Sequence, residues 1–270
     1  MDIALIGCGF IGEFIARAIT DGKIDADLLV VLDRHEEKME KICRLFETRP
    51  KVARDIHDIL DSDAELVVEA ASIVAVRLFA LDILKSKKSI MTMSTGAFAD
   101  QELYDKVIET AKENNVKVYL PSGAIGGLDA LRSASYDKIK EVTLETIKHP
   151  KSFKGAPYLI KNKIQLEGIH KKRTLYEGNA AEAIKGFPAN VNVAVALALA
   201  GIGVEKTQVK IIADPDIGQN IHTINVKGEF GEFSFNVKNL PSPKNPKTSY
   251  LAALSAIATL QKIISPVKIA

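Results

Sequence analysis

Cysteine is scarce in this 270-residue chain, which carries only Cys8 and Cys43. They form no C-x-x-C and no ligand spacing, so they offer neither a disulfide framework nor a thiolate metal site, and they read as free buried thiols in a reducing compartment. Aromatic residues reach only 6%, and 36 Lys and Arg are offset by 34 Asp and Glu. A net charge of +2 with so few stacking side chains argues against a nucleic-acid surface; any anionic partner is small and met locally. Long apolar runs are missing as well. The longest, residues 193–203, is too short to span a bilayer and reads as a buried helix, so no membrane partner is expected. Internal repeats, low-complexity tracts, a P-loop, metal-ligand clusters and a Ser-His-Asp order are all absent from the sequence. Met1 leads straight into a strand-like run that ends in glycines rather than a cleavage site, from which a cytoplasmic location is expected.

What the chain does have is enough apolar sequence, 47%, to build two domains that share a cleft. Residues 3–6 are an apolar run ended by glycines, and residues 10–19 repeat apolar side chains at helical spacing. Residues 28–32 form a second run, closed by Asp33 and followed by a charged, helix-prone stretch over 36–46. Strand-like runs at 66–68, 90–93 and 116–120, with helical segments at 74–84 and 101–113 between them, continue the alternation. That rhythm predicts an α/β, Rossmann-type doubly wound parallel sheet over residues 1–122. After Pro121 the pattern changes. A glycine-rich connection at 122–127 precedes a partly alternating strand at 139–147, then strands at 209–213, 221–226 and 232–237, the last two joined by a hairpin turn at 227–231. A smaller α+β domain with a mainly antiparallel sheet is expected over residues 123–240. Residues 152–178, polar and Lys-rich, read as an excursion over the surface or an interface arm. The tail, 241–270, carries a helix over 245–264, announced by Pro241, Pro243 and Pro246, capped by Thr248 or Ser249, and expected to return to the first domain.

Gly7-Cys8-Gly9-Phe10-Ile11-Gly12 is a G-x-G-x-x-G motif placed after a strand and opening a helix. Gly7 permits the tight turn, Gly9 leaves room for a pyrophosphate, and Gly12 lets helix and strand pack closely, while the helix N-terminus offers N–H groups to phosphate. A plain strand-to-helix turn would use glycines too. Asp33 adds a second feature in register, 21 residues beyond Gly12, where a carboxylate accepts from the adenosine ribose hydroxyls. Asp33 favours NAD by repelling a 2′-phosphate, and Arg34 beside it can pair with that phosphate, so NAD is preferred and NADP tolerated. Ala71, Ser72 and Ser94 follow later strands at the sheet's carboxyl edge, where the nicotinamide end is expected; ordinary loop residues stand there equally well.

Hydride transfer to a nicotinamide also needs a proton acceptor near the substrate carbon. Of five histidines, His35 and His57 lie in charged segments, and His149 and His170 flank the Lys-rich stretch. His222 alone sits in an apolar, glycine-flanked context, Gly218-Gln219-Asn220-Ile221-His222-Thr223-Ile224, and is the base candidate, although a core histidine would look the same. Asn190 and Asn192 begin an otherwise apolar helix, where an amide serves a carboxamide, a ribose or a cap. Lys171-Lys172-Arg173 is a charge run and reads as a solvated face.

Taken together, the glycine motif, Pro121-Ser122-Gly123-Ala124-Ile125-Gly126-Gly127-Leu128-Asp129, residues 187–194, residues 214–231 and Asn245-Pro246-Lys247-Thr248-Ser249 resemble the L-aspartate dehydrogenases of the NAD-biosynthesis type. The resemblance runs nearly the whole chain. It implies NAD(P)-dependent oxidation of L-aspartate to iminoaspartate, which hydrolyses to oxaloacetate and ammonia or passes to a quinolinate-forming enzyme. His222 falls on the family's active-site histidine, Ala124 on a cofactor-contacting position, and Asn190 or Asn192 on another. Asn220, Lys247, Thr248 and Ser249 are the candidates for the substrate's carboxylates, the last three at a helix N-terminus. A homodimer through the exposed sheet is expected. The rival readings are a related two-domain reductase, such as a dihydrodipicolinate reductase or homoserine dehydrogenase, and a nicotinamide-binding protein without turnover.

Overall fold

The computed structural model describes residues 1–188, 191–242 and 249–268. Short apolar runs alternate with amphipathic segments through the first 121 residues, and each becomes a strand or a helix in turn. In order they are β1 (Asp2–Ile6), α1 (Phe10–Thr20), β2 (Asp27–Leu32), α2 (Glu36–Cys43), β3 (Lys51–Val52), α3 (His57–Leu60), β4 (Leu66–Glu69), α4 (Ile73–Lys85), β5 (Ser89–Thr92), α5 (Gln101–Glu113) and β6 (Val118–Tyr119). The six strands form one parallel sheet in the order β3-β2-β1-β4-β5-β6. Ile3, Leu5, Val31, Val67, Val68 and Met91 are almost wholly buried, as expected for a sheet whose strands bury both faces. The strand order reverses between β1 and β4, which places the β1–α1 turn at the switch point where open α/β sheets bind ligands. The two-residue edge strand β3 was not foreseen, because Lys51-Val52 is too short to show a period.

A second unit spans residues 122–252. It contains α6 (Leu128–Ala134), β7 (Ile139–Lys148), α7 (Pro157–Lys161), β8 (Arg173–Asn179), α8 (Ala180–Gly186), α9 (Val191–Ala200), β9 (Gln208–Ala213), β10 (Asn220–Gly228) and β11 (Gly231–Asn239). The strands order as β11-β10-β7-β9-β8, with β7–β9 parallel and the other three pairings antiparallel. On one face Val142 and Leu144 of β7, Ile224 and Val226 of β10, and Val209 and Ile211 of β9 meet Leu131, Phe153, Phe187 and Leu197 in a continuous core. Side chains alternate along a strand, so the same face continues through Thr146, Lys148, His222 and Asn220. All four are buried, and there the apolar face turns polar.

The expectation that residues 152–178 make a surface excursion is corrected. Phe153, Leu159, Ile169, Leu175 and Tyr176 are buried in the second unit's core, and β8 pairs along the edge of β9. No single period was visible because the stretch is divided among a 3₁₀ turn (Pro150–Phe153), α7 and a bulged strand, each contributing one or two anchors. Lys171, Lys172 and Arg173 are exposed.

The last helix, α10 (Tyr250–Ile264), starts directly after Ser249, one of the two expected cap positions, and residues 245–248 of the expected helix lie outside the described residues. From Ala253 onward it belongs to the first unit, where Ala256 and Leu260 pack with Ile3, Leu5 and Ile15, and Gln261 Nε2 donates to the Lys23 carbonyl at 2.9 Å.

Candidate active site

The turn between β1 and α1 is built around its glycines. Gly7 has φ +98°, and a Cβ there would lie 2.6 Å from the Ala70 carbonyl carbon; a Cβ on Gly12 would lie 2.0 Å from the Gly7 carbonyl oxygen. Neither position tolerates a side chain. A Cβ on Gly9 would meet nothing within 4 Å, and Gly9 caps α1 without any side-chain hydrogen bond. Open space beside an uncapped helix N-terminus is what a dinucleotide pyrophosphate requires, so these residues fit that group. Asp33 binds the turn directly: Oδ2 accepts from the Cys8 N–H at 2.7 Å and Oδ1 from the His35 N–H at 3.0 Å. Arg34 is exposed beside it. Phe10 stacks on Phe14 with ring centroids 5.8 Å apart, and Ile11 packs against the core. Burial first, and Asp33 second, push the Cys8 thiol up to about 12, so it is inert as a nucleophile.

A residue not singled out in the sequence organises the sheet's carboxyl edge. Glu69, at the end of β4, is 1% exposed. Its Oε1 accepts from the N–H groups of Ala71 (2.7 Å) and Ser72 (2.8 Å) and from Ser94 Oγ (2.9 Å), while Oε2 accepts from Thr92 Oγ1 (2.5 Å) and the Ser94 N–H (3.1 Å). Ser72 Oγ caps α4 by accepting from the Ala75 N–H. The polar groups of Ala71, Ser72 and Ser94 are thus engaged in shaping the two turns. The signal that could have found Glu69 was a carboxylate closing the apolar run Leu66-Val67-Val68, in a strand whose neighbours bury both faces.

In the second unit His222 is 2% exposed and stands opposite Thr146 in the β10–β7 register, with Nδ1 3.0 Å from Thr146 Oγ1. Burial, and then the positive charge of Lys148, lower the imidazole from its ordinary value of 6.5 to about 3, so the ring is neutral at physiological pH. Lys148 is itself 7% exposed, and burial lowers it to about 8. Asn220 Nδ2 donates to Ser249 Oγ at 3.4 Å, and both residues are buried. The adjacent Asn239 holds the glycine-rich connection by donating to the Ala124 carbonyl at 2.8 Å. Ser242 Oγ is buried with no hydrogen-bond partner among the described residues. Asn192 is exposed on the first turn of α9, whereas Asn190, Lys247 and Thr248 lie outside the described residues. Of the other histidines, His149 caps the 3₁₀ turn after it, accepting from the Lys151 N–H, and His35 pairs with Glu37 on the surface. Among the described residues no group of three or more His, Cys, Asp or Glu could hold a metal ion, and no helix is long and apolar enough to cross a membrane.

Comparison with known proteins meets this geometry from two sides. Residues 7–121 match the family described as homoserine dehydrogenase, NAD binding domain, and residues 129–263 match aspartate dehydrogenase, C-terminal. The chain is 50% identical to the L-aspartate dehydrogenase of Methanosarcina mazei, covering 100% of this chain and 99% of that one, and 40% identical to the L-aspartate dehydrogenase of Methanocaldococcus jannaschii with the same coverage. The crystal structure of aspartate dehydrogenase from Thermotoga maritima superimposes with a TM-score of 0.78 at 30% identity, covering 100% and 99% of the two chains. A hyperthermophilic archaeal homoserine dehydrogenase in complex with NADPH shares the fold alone, at 14% identity and a TM-score of 0.60. The chain belongs to the aspartate dehydrogenase family.

Proposed function

We propose that this chain oxidises L-aspartate to iminoaspartate with a nicotinamide dinucleotide, NAD by preference and NADP by tolerance, and that His222 is its proton-transfer residue. The observation that carries the reading is a buried, neutral imidazole, fixed by Thr146, in a chain 50% identical over its length to an L-aspartate dehydrogenase. When bound, the nicotinamide would accept hydride from the substrate Cα. The turn at Gly7, Gly9 and Gly12 would hold the pyrophosphate on the N-terminus of α1, Asp33 would receive the adenosine ribose, and Glu69 would keep the turns at Ala71 and Ser94 shaped for the nicotinamide end. If Thr146 accepts from Nδ1–H, the lone pair of His222 lies on Nε2. That nitrogen takes a proton from the substrate ammonium, or from the water that later attacks the imine. Asn220 and Ser249, with Lys247 and Thr248 in the adjoining segment, are assigned to the substrate's carboxylates, and Ala124 with Asn190 or Asn192 to the cofactor.

The finer assignments rest on the same reading. A homodimer is supported by the nine-residue edge strand β11, on which Phe235 is 37% exposed, and by Phe230, 39% exposed in the turn that precedes it. A cytoplasmic site of action is supported by the two unpaired thiols, Cys8 and Cys43. The imine product suits either hydrolysis to oxaloacetate and ammonia or transfer to a quinolinate-forming enzyme.

The test is an amino-acid panel followed by NADH absorbance. L-aspartate should reduce the cofactor with release of ammonia and L-homoserine should not; turnover of homoserine alone would overturn the assignment.

A further inference from the structure

We propose that Glu69 sets the preference of this site between the two redox forms of its cofactor, its buried carboxylate favouring the oxidised nicotinamide over the reduced one. The inference rests on the cofactor placement proposed above and deepens it, because there Glu69 only shapes two turns.

Glu69 closes β4 opposite Thr92 in the β4–β5 register, at the carboxyl edge of the sheet and on a strand that borders the switch point. Both of its carboxylate oxygens accept. The N–H groups of Ala71, Ser72 and Ser94 and the hydroxyls of Thr92 and Ser94 converge on them. An N–H group can only donate, so this is the hydrogen-bonding pattern of an ionised carboxylate, which only accepts. Each of these donors is neutral, and among the described residues no Lys, Arg or His forms an ion pair with Glu69. The charge is solvated by dipoles and not cancelled by a counter-ion. At 1% exposure it is also poorly screened by water and salt.

The backbone around this carboxylate is the part of the sheet edge assigned to the cofactor. A Cβ on Gly7 would lie 2.6 Å from the Ala70 carbonyl carbon and 2.7 Å from the Ala71 nitrogen, so the phosphate turn rests on the very segment whose N–H groups Glu69 holds. One carboxylate thus backs the phosphate turn and both turns assigned to the nicotinamide end. The oxidised ring carries a formal positive charge, and hydride addition removes it. A fixed anion behind these turns stabilises the cationic ring and does little for the neutral one. The affinity for NAD therefore rises relative to that for NADH, so the site loads the oxidised cofactor and lets the reduced one leave.

The experiment measures Kd by calorimetry, with no substrate present, for NAD, NADH and ADP-ribose on wild type, Glu69→Gln and Asp33→Ser. Wild type is also titrated with a neutral analogue of NAD in which benzamide replaces nicotinamide. Glu69→Gln keeps the shape of the side chain and removes its charge. It should move the ratio of the NAD and NADH affinities about tenfold toward NADH, the order expected of one unit charge acting across a protein interior. Asp33→Ser removes a carboxylate from the adenosine end instead; it should weaken NAD, NADH and ADP-ribose together and keep the ratio within about twofold of wild type. In wild type the neutral analogue should bind about tenfold more weakly than NAD, a comparison that decides the matter even if Glu69→Gln does not fold. A Glu69 that only shapes the turns would weaken all three ligands in parallel in Glu69→Gln and leave the ratio at its wild-type value. That result would overturn the inference, as would a ratio that moves equally far in Asp33→Ser, or equal affinity of wild type for NAD and the neutral analogue. Failure of wild type to bind any of these ligands would sink the cofactor reading and the inference with it. Failure to oxidise L-aspartate would overturn the substrate reading alone, because no substrate enters these titrations.

Discussion

Thr146 and His222 stand opposite each other on neighbouring antiparallel strands, and the threonine hydroxyl lies 3.0 Å from the Nδ1 of the imidazole. Each is buried, so the hydrogen bond holds ring orientation and tautomer with no water to substitute for it. Removing the ring should lower kcat by about 10²- to 10⁴-fold, the usual contribution of a positioned general base. His222→Asn should therefore show that loss with dinucleotide affinity intact. Thr146→Val preserves shape and deletes the oxygen, and should lower kcat by roughly tenfold, since the ring remains but its tautomer is no longer fixed. Both are read from initial rates at saturating L-aspartate and NAD, with melting temperature as the check on folding. A His222→Asn protein that melts early yet turns over at the wild-type rate per folded molecule would make His222 a packing residue.

The three glycines of the first turn should fail in different ways. A methyl at Gly12 collides with the backbone of Gly7 inside the protein, so Gly12→Ala should lower the melting temperature and lose cofactor affinity with it. A methyl at Gly9 meets nothing, so Gly9→Ala should melt like wild type. Its cost falls on the pyrophosphate, and the Kd for NADH should rise at least tenfold. Equal melting temperatures with unchanged NADH affinity in Gly9→Ala would remove the phosphate from this turn.

Much of this is readable in the sequence. The β1–α1 turn announced itself because a mechanism demands glycine at three fixed positions, and Asp33 stood where the second strand ends. The burial of His222 was legible from its apolar flanks. The burial of Lys148 was not foreseen because the expected strand was closed at Ile147, one residue early; extended by one, the parity of Val142, Leu144 and Thr146 would have put a lysine on the core face. Glu69 was missed for a different reason. A single carboxylate after an apolar run resembles any strand end, and only the folded chain brings Ala71, Ser72, Thr92 and Ser94 to it from two turns. Strand β8 hid among lysines, since an edge strand needs few apolar anchors and a bulge breaks their alternation.

Asp33 has one task in the fold and a second in the proposed cofactor site. Its carboxylate ties down the glycine turn through the Cys8 N–H, and in the proposed site the same charge would repel a 2′-phosphate. Asp33→Ser should shift preference toward NADP, with Arg34 free to pair with the added phosphate, and should also weaken NAD, because a hydroxyl replaces a charged acceptor of the Cys8 N–H. The ratio of kcat/KM for the two cofactors is the measurement. An unchanged ratio would take Asp33 out of the ribose site.

The buried bases make stability depend on pH with a predictable sign. His222 holds a proton with a value of about 3 in the folded chain against 6.5 in an unfolded one. Between those values the unfolded chain binds a proton that the native site refuses, so acid favours unfolding. The stability at stake is fully present above about pH 6.5 and is lost progressively as the pH falls toward 3. Lys148 follows the same rule in another window: lowered to about 8 from 10.5, it should make the native protein gain stability as the pH rises between those values. One proton of difference gives a slope of at most about 1.4 kcal/mol per pH unit. Carboxylates titrate in the acid window too, so the quantity to compare is the difference between wild type and variant by calorimetry at constant ionic strength. His222→Asn should flatten the acid limb between pH 6.5 and 4 and leave the alkaline limb unchanged, whereas Lys148→Met should flatten the alkaline limb and also ease the acid limb in part, because the lysine's charge contributes to lowering His222. If both variants track wild type across the whole range, burial does not shift either base in the folded chain.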